Sequence, residues 1–307
     1  MKRDKCMQQF TRAQIFSLLS ATPLGSSQCY VHYRADLSGL PQIHESQTLN
    51  SKLFYHIFLV NTKKMFSGRR AVVTGASSGI GLALCQRLAS LGYGITMVAR
   101  NEQRLLKNLE NLDKRHGQSH QYSVIDLSKM STHESCEARV KDLFKDASLL
   151  INCAGVTNHN VLAKLTTEAI ASTINLNLTA PILLSRLAIM PFLRLLKKTG
   201  VTPSIINMSS MLSISGVTIP GTSPYAALKA GLLGFTESLA AELGGKIRVN
   251  AVLPALVPET EMGRSGSPKL PTVLLEEVVQ ACENVIMDES MNGKFVVADG
   301  KEFRYLN

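Results

Sequence analysis

The sequence has no tryptophan, no Cys-x-x-Cys or other metal-ligand spacing, and no basic run longer than two residues beyond position 66. Its longest apolar run near the N-terminus, "LFYHIFLV", falls far short of the roughly 20 residues that span a bilayer. Membrane insertion is therefore not expected. Six cysteines scattered over 307 residues do not make a disulfide framework, so free thiols in a reducing compartment are expected, and no metal site. Cys153, inside "INCAG", reads as a small buried hydrophobe rather than a nucleophile. The net charge of +10 would suit a nucleic-acid partner, but half of it sits in residues 1–66. The remaining +5 is spread over the rest of the chain without a binding motif, which argues against nucleic acid.

The chain changes character near residue 67. Residues 1–66 lack a clean period, mix Ser, Gln and His with Lys and Arg, and contain the breaker-rich "TPLGSSQ" and "LSGLPQ". They read as a basic N-terminal extension, either a mitochondrial targeting segment or disordered. Met65 opens "MFSGRRAVVTG", a natural start for the domain expected over 67–307. The expected location is the mitochondrial matrix, with the cytoplasm as the alternative.

From residue 69 apolar runs alternate with helical segments. The runs are "RAVVT", "GITMVA", "YSVID", "SLLIN", "SIINM", "IRVNAVL" and "KFVVA". Runs that are continuously apolar, rather than alternating, belong to strands covered on both faces. Their alternation with helices predicts an α/β fold, a single doubly wound Rossmann-type domain with a seven-stranded parallel sheet and helices on both faces.

The first strand runs into "TGASSGIG", followed by the helical "LALCQRLASLG". Gly75, Gly79 and Gly81 permit a tight turn and close approach to a pyrophosphate, which the amides of Ser77, Ser78 and Ile80 and the helix N-terminus would hold. A carboxylate closing the second strand would read a free ribose 2′-OH, but "MVARN" has none. Arg100 stands there instead, 19 residues past Gly81, and favours the 2′-phosphate of NADP(H). Asp126 at the third strand's tip is placed to accept from the adenine amino group. Asn152, Ala154 and Gly155 at the fourth strand's tip fall on the same carboxyl edge. Either Asp126 or Asn152 could instead cap a turn. Tyr225 and Lys229 lie four apart in "SPYAALKAG", so they share a helix face.

Together, "TGASSGIG", "NCAG", "INMSS", "YAALK" and "VLPALVPETEM" resemble the short-chain dehydrogenase/reductase family from about residue 69 to 300. Within it the chain is most similar to the 3-oxoacyl-[acyl-carrier-protein] reductases, in particular to fungal mitochondrial members. The resemblance implies that Tyr225 is the acid, Lys229 its activator, Ser210 rather than Ser209 the carbonyl-orienting hydroxyl, and Asn177 rather than Asn175 the fourth member. It implies that Tyr225 and Lys229 also touch the cofactor and that Thr260 contacts its nicotinamide end. It further implies a homo-tetramer and a 3-oxoacyl thioester on acyl carrier protein. Lys197 and Lys198, at the end of a helix, are candidates to help capture an acidic carrier, or else complement the helix dipole there. A cation beside a phenol lowers its pKa, and Lys229 is expected to do so for Tyr225. Ala255, where the family commonly has glycine, and a Ser210-to-Tyr225 interval of 15 residues depart from the pattern. The Pro- and Gly-rich segment 254–270 is the expected substrate-side loop. Reduction of free ketones, steroids or quinones, and a non-catalytic nucleotide-binding subunit, are the competing functions.

Overall fold

The computed structural model describes residue 66 and residues 68–306 other than 131–133, 158, 215, 267, 268 and 302. The chain divides after Met65. The preceding part, with the expected targeting segment, lies outside the described residues. Phe66 belongs to the folded part, one residue earlier than expected: it is buried, stacks on Tyr93 at 4.9 Å and lies under the Arg69 guanidinium at 5.4 Å.

Eight strands form one sheet: β1 (Arg70–Thr74), β2 (Gly94–Ala99), β3 (Gln121–Val124), β4 (Ala147–Asn152), β5 (Ser204–Met208), β6 (Arg248–Pro254), β7 (Phe295–Ala298) and β8 (Arg304–Leu306). Their order is β3-β2-β1-β4-β5-β6-β7-β8. Every residue of β2, β4, β5, β6 and β7 is buried, as continuous apolar runs require. The seven expected strands pair in parallel. The eighth was not expected: it pairs antiparallel with β7, is only three residues long, and is mostly exposed.

The helices are α1 (Gly79–Ser90), α2 (Glu102–Glu110), α3 (Glu134–Leu143), α4 (Thr167–Ile174), α5 (Ala180–Thr199), α6 (Ser223–Leu243), α7 (Glu261–Arg264) and α8 (Leu275–Met287). A π-turn over Asn175–Thr179 joins α4 to α5. The helical run Thr167–Thr199 is long and apolar enough to cross a membrane by length and composition, yet half of its most apolar window is buried within the protein. Leu184, Ala188 and Phe192 on one side of α5 enter the core beside Leu150 and Ile205, where Phe192 meets Phe144 edge to face at 6.1 Å. Ile182 and Met190 remain partly exposed on α5.

The sheet order reverses between β1 and β4, because the chain winds outward to β3 and then crosses back. Such a switch point opens a crevice at the carboxyl ends of the two central strands.

Candidate active site

A cleft of about 690 Å³ lies at that switch point. Gly75, Ser77, Ser78, Gly79, Ile80 and Gly81 form one wall. The glycines are required by geometry. Gly75 adopts φ +67°, and a Cβ there would stand 2.9 Å from Ala154 Cα; a Cβ on Gly81 would stand 2.4 Å from the Gly75 carbonyl oxygen. Thr74, the last residue of β1, ties this wall to the next. Its hydroxyl oxygen accepts from the amides of Cys153 and Ala154, each at 3.0 Å, and its proton goes to the Ile151 carbonyl at 3.3 Å. Ser78 sits at the N-cap of α1 without a side-chain capping bond. The first turn of α1 therefore points its amides at the cleft uncapped by its own side chain, as an anion site needs.

Lys229 and Tyr225 face the same cleft from α6. Lys229 Nζ lies 5.6 Å from the Tyr225 ring centroid and donates to the Met208 carbonyl at 2.7 Å. Burial lowers the Lys229 pKa to about 8, against a small upward pull from Cys153. Tyr225 moves opposite to expectation. Burial pushes its phenol up to about 12, aided by Cys153, while a hydrogen bond with Ser210 pulls weakly downward. Removal of the phenol from water is the dominant influence on it. The phenol thus stays protonated at neutral pH, as a proton donor should. Cys153 also lines the cleft, and burial pushes its thiol up to about 12, so it stands there neutral.

The two adjacent serines divide their work. Ser209 donates its hydroxyl to the Lys229 carbonyl at 2.9 Å, pinning α6 to β5. Ser210 accepts from the Leu212 amide at 3.2 Å and meets Tyr225, although Ser209 and not Ser210 borders the cleft proper.

Asn177 is fully buried in the π-turn, and its amide donates to the carbonyls of Val156 and Thr173, both at 3.0 Å. Its Oδ1 has no partner. A Cβ on Gly155 would stand 2.7 Å from that oxygen and 3.7 Å from Lys229 Nζ, so the space over Gly155 is a small polar hole between an acceptor and a cation.

Several expectations move. Asp126 does not line the cleft: it accepts from the amide and hydroxyl of Ser128, at 3.1 and 2.7 Å, and caps its own turn. Asn152 is also absent from the lining, because its amide donates to Asn207 Oδ1 at 2.8 Å inside the sheet. Thr260 lines the cleft, but its hydroxyl caps α7 by accepting from the Gly263 amide at 2.9 Å. Its methyl faces Gly79, 3.3 Å from where a Cβ would be, so any side chain at 79 would narrow the cleft. Lys197 and Lys198 end α5, which returns the chain to the amino end of β5, the sheet edge opposite the cleft. They cannot frame its mouth and suit the helix dipole instead.

Arg100 lines the cleft at the tip of β2 and is exposed, with Ala154 and Gly155 across from it. Thr74, Arg104, Asn108 and Glu261 were not foreseen. Asn108 donates to the Ser77 carbonyl at 3.0 Å, and Arg104 pairs with Glu261 at 2.9 Å. The pattern Asn101-x-x-Arg104, an N-cap one turn before a basic residue, was the available signal for α2; Asn101 accepts from the Arg104 amide at 2.9 Å.

Residues 69–270 match the family model of short chain dehydrogenases. The 3-oxoacyl-[acyl-carrier-protein] reductase FabG of Chlamydia trachomatis is 28% identical over 239 residues, 76% of this chain and 92% of its own length. That of Salmonella typhimurium is 32% identical over 214 residues, 69% and 83% of the two chains. Among solved structures, a short chain dehydrogenase from Burkholderia cenocepacia in complex with NADP superposes with a TM-score of 0.66 at 27% identity, covering 76% of this chain and 98% of its own. A short-chain dehydrogenase from Sphingobium yanoikuyae in complex with NADPH gives 0.63 at 30% identity, covering 75% and 87%. With the model match spanning about two thirds of its length, this chain belongs to the short chain dehydrogenase family.

Proposed function

We propose that this oxidoreductase uses NADPH to reduce 3-oxoacyl thioesters on acyl carrier protein to 3-hydroxyacyl thioesters. The observation that carries the chemistry is a protonated Tyr225 and a buried Lys229 lining a glycine-walled cleft, with the Ser210 side chain hydrogen-bonded to Tyr225. The FabG names of the relatives carry the substrate class.

The residues fit the cofactor. A Cβ at Gly75 or Gly81 would collide with backbone, one at Gly79 would crowd Thr260, and the first turn of α1 offers amides to a pyrophosphate. Arg100, with no carboxylate on β2 or at its tip, supports NADP over NAD. When bound, a reduced nicotinamide supplies the hydride that the carbonyl carbon receives. Tyr225 donates its proton to the carbonyl oxygen, and Ser210 steadies the charge developing there. Lys229, at about 8, is largely protonated at neutral pH and restores the proton. The partnerless Asn177 Oδ1 orients the water through which Lys229 is recharged.

NADPH oxidation with acetoacetyl-carrier protein, acetoacetyl-CoA and a panel of free ketones tests this reading, with Tyr225→Phe alongside. Tyr-dependent turnover that prefers the carrier is the expected result. Turnover on free ketones alone would move the function to small-molecule carbonyl reduction. Nucleotide binding without turnover on anything would leave a non-catalytic subunit.

We infer a homo-tetramer built on the partly exposed face of α5, where Ile182 and Met190 stand. Light scattering on wild type and Met190→Glu tests it: a monomeric wild type would sink it. The basic, acid-poor residues 1–66 support import into mitochondria. Their fusion to a fluorescent protein should direct it there, and diffuse cytoplasmic signal would rule this out.

A further inference from the structure

The cleft carries a pair of charges that the chemistry above does not use. Arg104 Nη1 lies 2.9 Å from Glu261 Oε1, joining α2, which follows β2, to α7, which follows β6. Both residues line the cleft, together with Arg100, Asn101 and the tips of β2 and β3. Three strands, β1, β4 and β5, separate β2 from β6 in the sheet, so the ion pair reaches across the crevice rather than along one side of it.

Arg104 is held firmly for a surface residue. Asn101 caps α2 at the Arg104 amide, Leu105 is fully buried beneath it, and Asn108 one turn later donates to Ser77 on the glycine wall. Its partner is held less firmly: Glu261 opens a four-residue helix and is 61% exposed. Glu261 is also the one carboxylate among the described cleft-lining residues. The nearby Glu102 is drawn aside, accepting from the Tyr122 hydroxyl at 3.2 Å.

The geometry assigns Arg104 to the 2′-phosphate of NADP(H), with Glu261 holding the guanidinium in place until the phosphate takes it over. The assignment rests on the cleft taking NADP(H) at Arg100, as proposed above. An exposed ion pair such as this is weak and screened by salt, whereas a guanidinium binds a phosphate dianion through two parallel charge-assisted hydrogen bonds. Exchange of carboxylate for phosphate is therefore favourable. A free ribose hydroxyl brings no charge with which to displace Glu261, so Arg104 stays paired when the nucleotide lacks the phosphate. The pair thereby adds to the preference that Arg100 begins, and the exchange releases α7 from α2 only when the phosphorylated cofactor is present.

The test is calorimetric titration of the full chain with 2′,5′-ADP and with 5′-AMP, which differ by the one phosphate. Arg104→Gln should weaken 2′,5′-ADP by about tenfold or more and leave 5′-AMP unchanged. Glu261→Gln should tighten 2′,5′-ADP by roughly two- to fivefold, again without effect on 5′-AMP, since it frees the guanidinium at no gain to the shorter ligand. If Arg104→Gln weakens both nucleotides alike, or neither, or if Glu261→Gln weakens 2′,5′-ADP, the assignment is wrong. Arg100→Gln separates this from the parent reading. A wild type that does not distinguish the two nucleotides overturns both; a wild type that does, with selectivity lost in Arg100→Gln and intact in Arg104→Gln, overturns the Arg104 assignment alone.

Discussion

Lys229 Nζ donates to the carbonyl oxygen of Met208 at 2.7 Å, so the last residue of β5 fixes the position of the one ammonium among the described cleft-lining residues. That hold comes at a cost in stability. The ordinary lysine value of 10.5 falls to about 8, which means the folded protein binds this proton less tightly than the unfolded chain does. Between those values the unfolded chain carries more protons, and stability rises with pH; below about 8 the whole penalty of the buried charge is present. Lys229→Met should therefore raise stability at neutral pH by about 1–2 kcal/mol, after subtracting the lost hydrogen bond, while removing turnover. Thermal denaturation and NADPH oxidation on the same sample check both halves. A destabilised, inactive variant would contradict it.

The same value sets a pH limit on reduction. If Lys229 returns the proton that Tyr225 gives up, the multiple-turnover rate should fall as pH rises through about 8, the region in which Lys229 empties, while the first turnover should not. A multiple-turnover rate flat to pH 10 would show that the proton comes from elsewhere.

Thr74 accepts two amide hydrogens with one oxygen. Thr74→Val keeps the shape and strands both donors, at a cost of about 2–3 kcal/mol, and should weaken nucleotide binding because the glycine wall loses its tie to residues 153 and 154. Thr74→Ser retains the oxygen and should lie close to wild type. Denaturant titration of the two variants separates them.

Gly155→Ala tests the polar hole. Its methyl would meet Asn177 Oδ1 at 2.7 Å, and Asn177 is pinned by two hydrogen bonds and has little room to retreat. We expect about 1–3 kcal/mol of destabilisation and a loss in kcat larger than any change in KM. Equal kcat in both proteins would leave the hole without a catalytic part.

His120 predicts an acid weakness far from the cleft. Its Nδ1 accepts from the Ile95 amide at 3.1 Å and its Nε2 faces the Asp113 carbonyl at 2.8 Å, a pairing that only the neutral ring with its proton on Nε2 satisfies. Burial accordingly lowers its pKa from 6.5. The unfolded chain takes up the proton first, so stability should decline as pH falls below about 6.5. Thermal midpoints between about pH 5 and pH 8 should show a step that His120→Gln reduces.

The sequence was most informative where one physical cause acts over several neighbouring residues. β1, β2 and β4 to β7 announce themselves as runs of mostly apolar side chains, because both their faces are covered, and Gly75 and Gly81 sit where backbone collides with any Cβ. It was least informative where partners are distant or where one residue type serves two purposes. An aspartate at a strand tip can face a ligand or cap its own turn, and spacing does not distinguish them; at Asp126 the local bonds to Ser128 win. Arg104 and Glu261 meet only because the sheet folds their strands back over one crevice. β8 gave no signal because three residues, two of them exposed, carry no period. Lys197 and Lys198 were misplaced because a basic pair at a helix end says nothing of which sheet edge that end reaches.

The polar bond inside the sheet has a further consequence. Central strands that are apolar on both faces can slide past one another by a residue without exposing anything, so hydrophobicity alone chooses their alignment poorly. Asn152 stands opposite Asn207 in the β4–β5 pairing, donates to it, and Asn207 in turn donates to Thr236 of α6 at 2.9 Å. Any slip would break the bonds these amides do make and strand them among aliphatic side chains, which makes the misaligned sheets costly. The three residues act less as glue than as a key that only one alignment of the strands will turn.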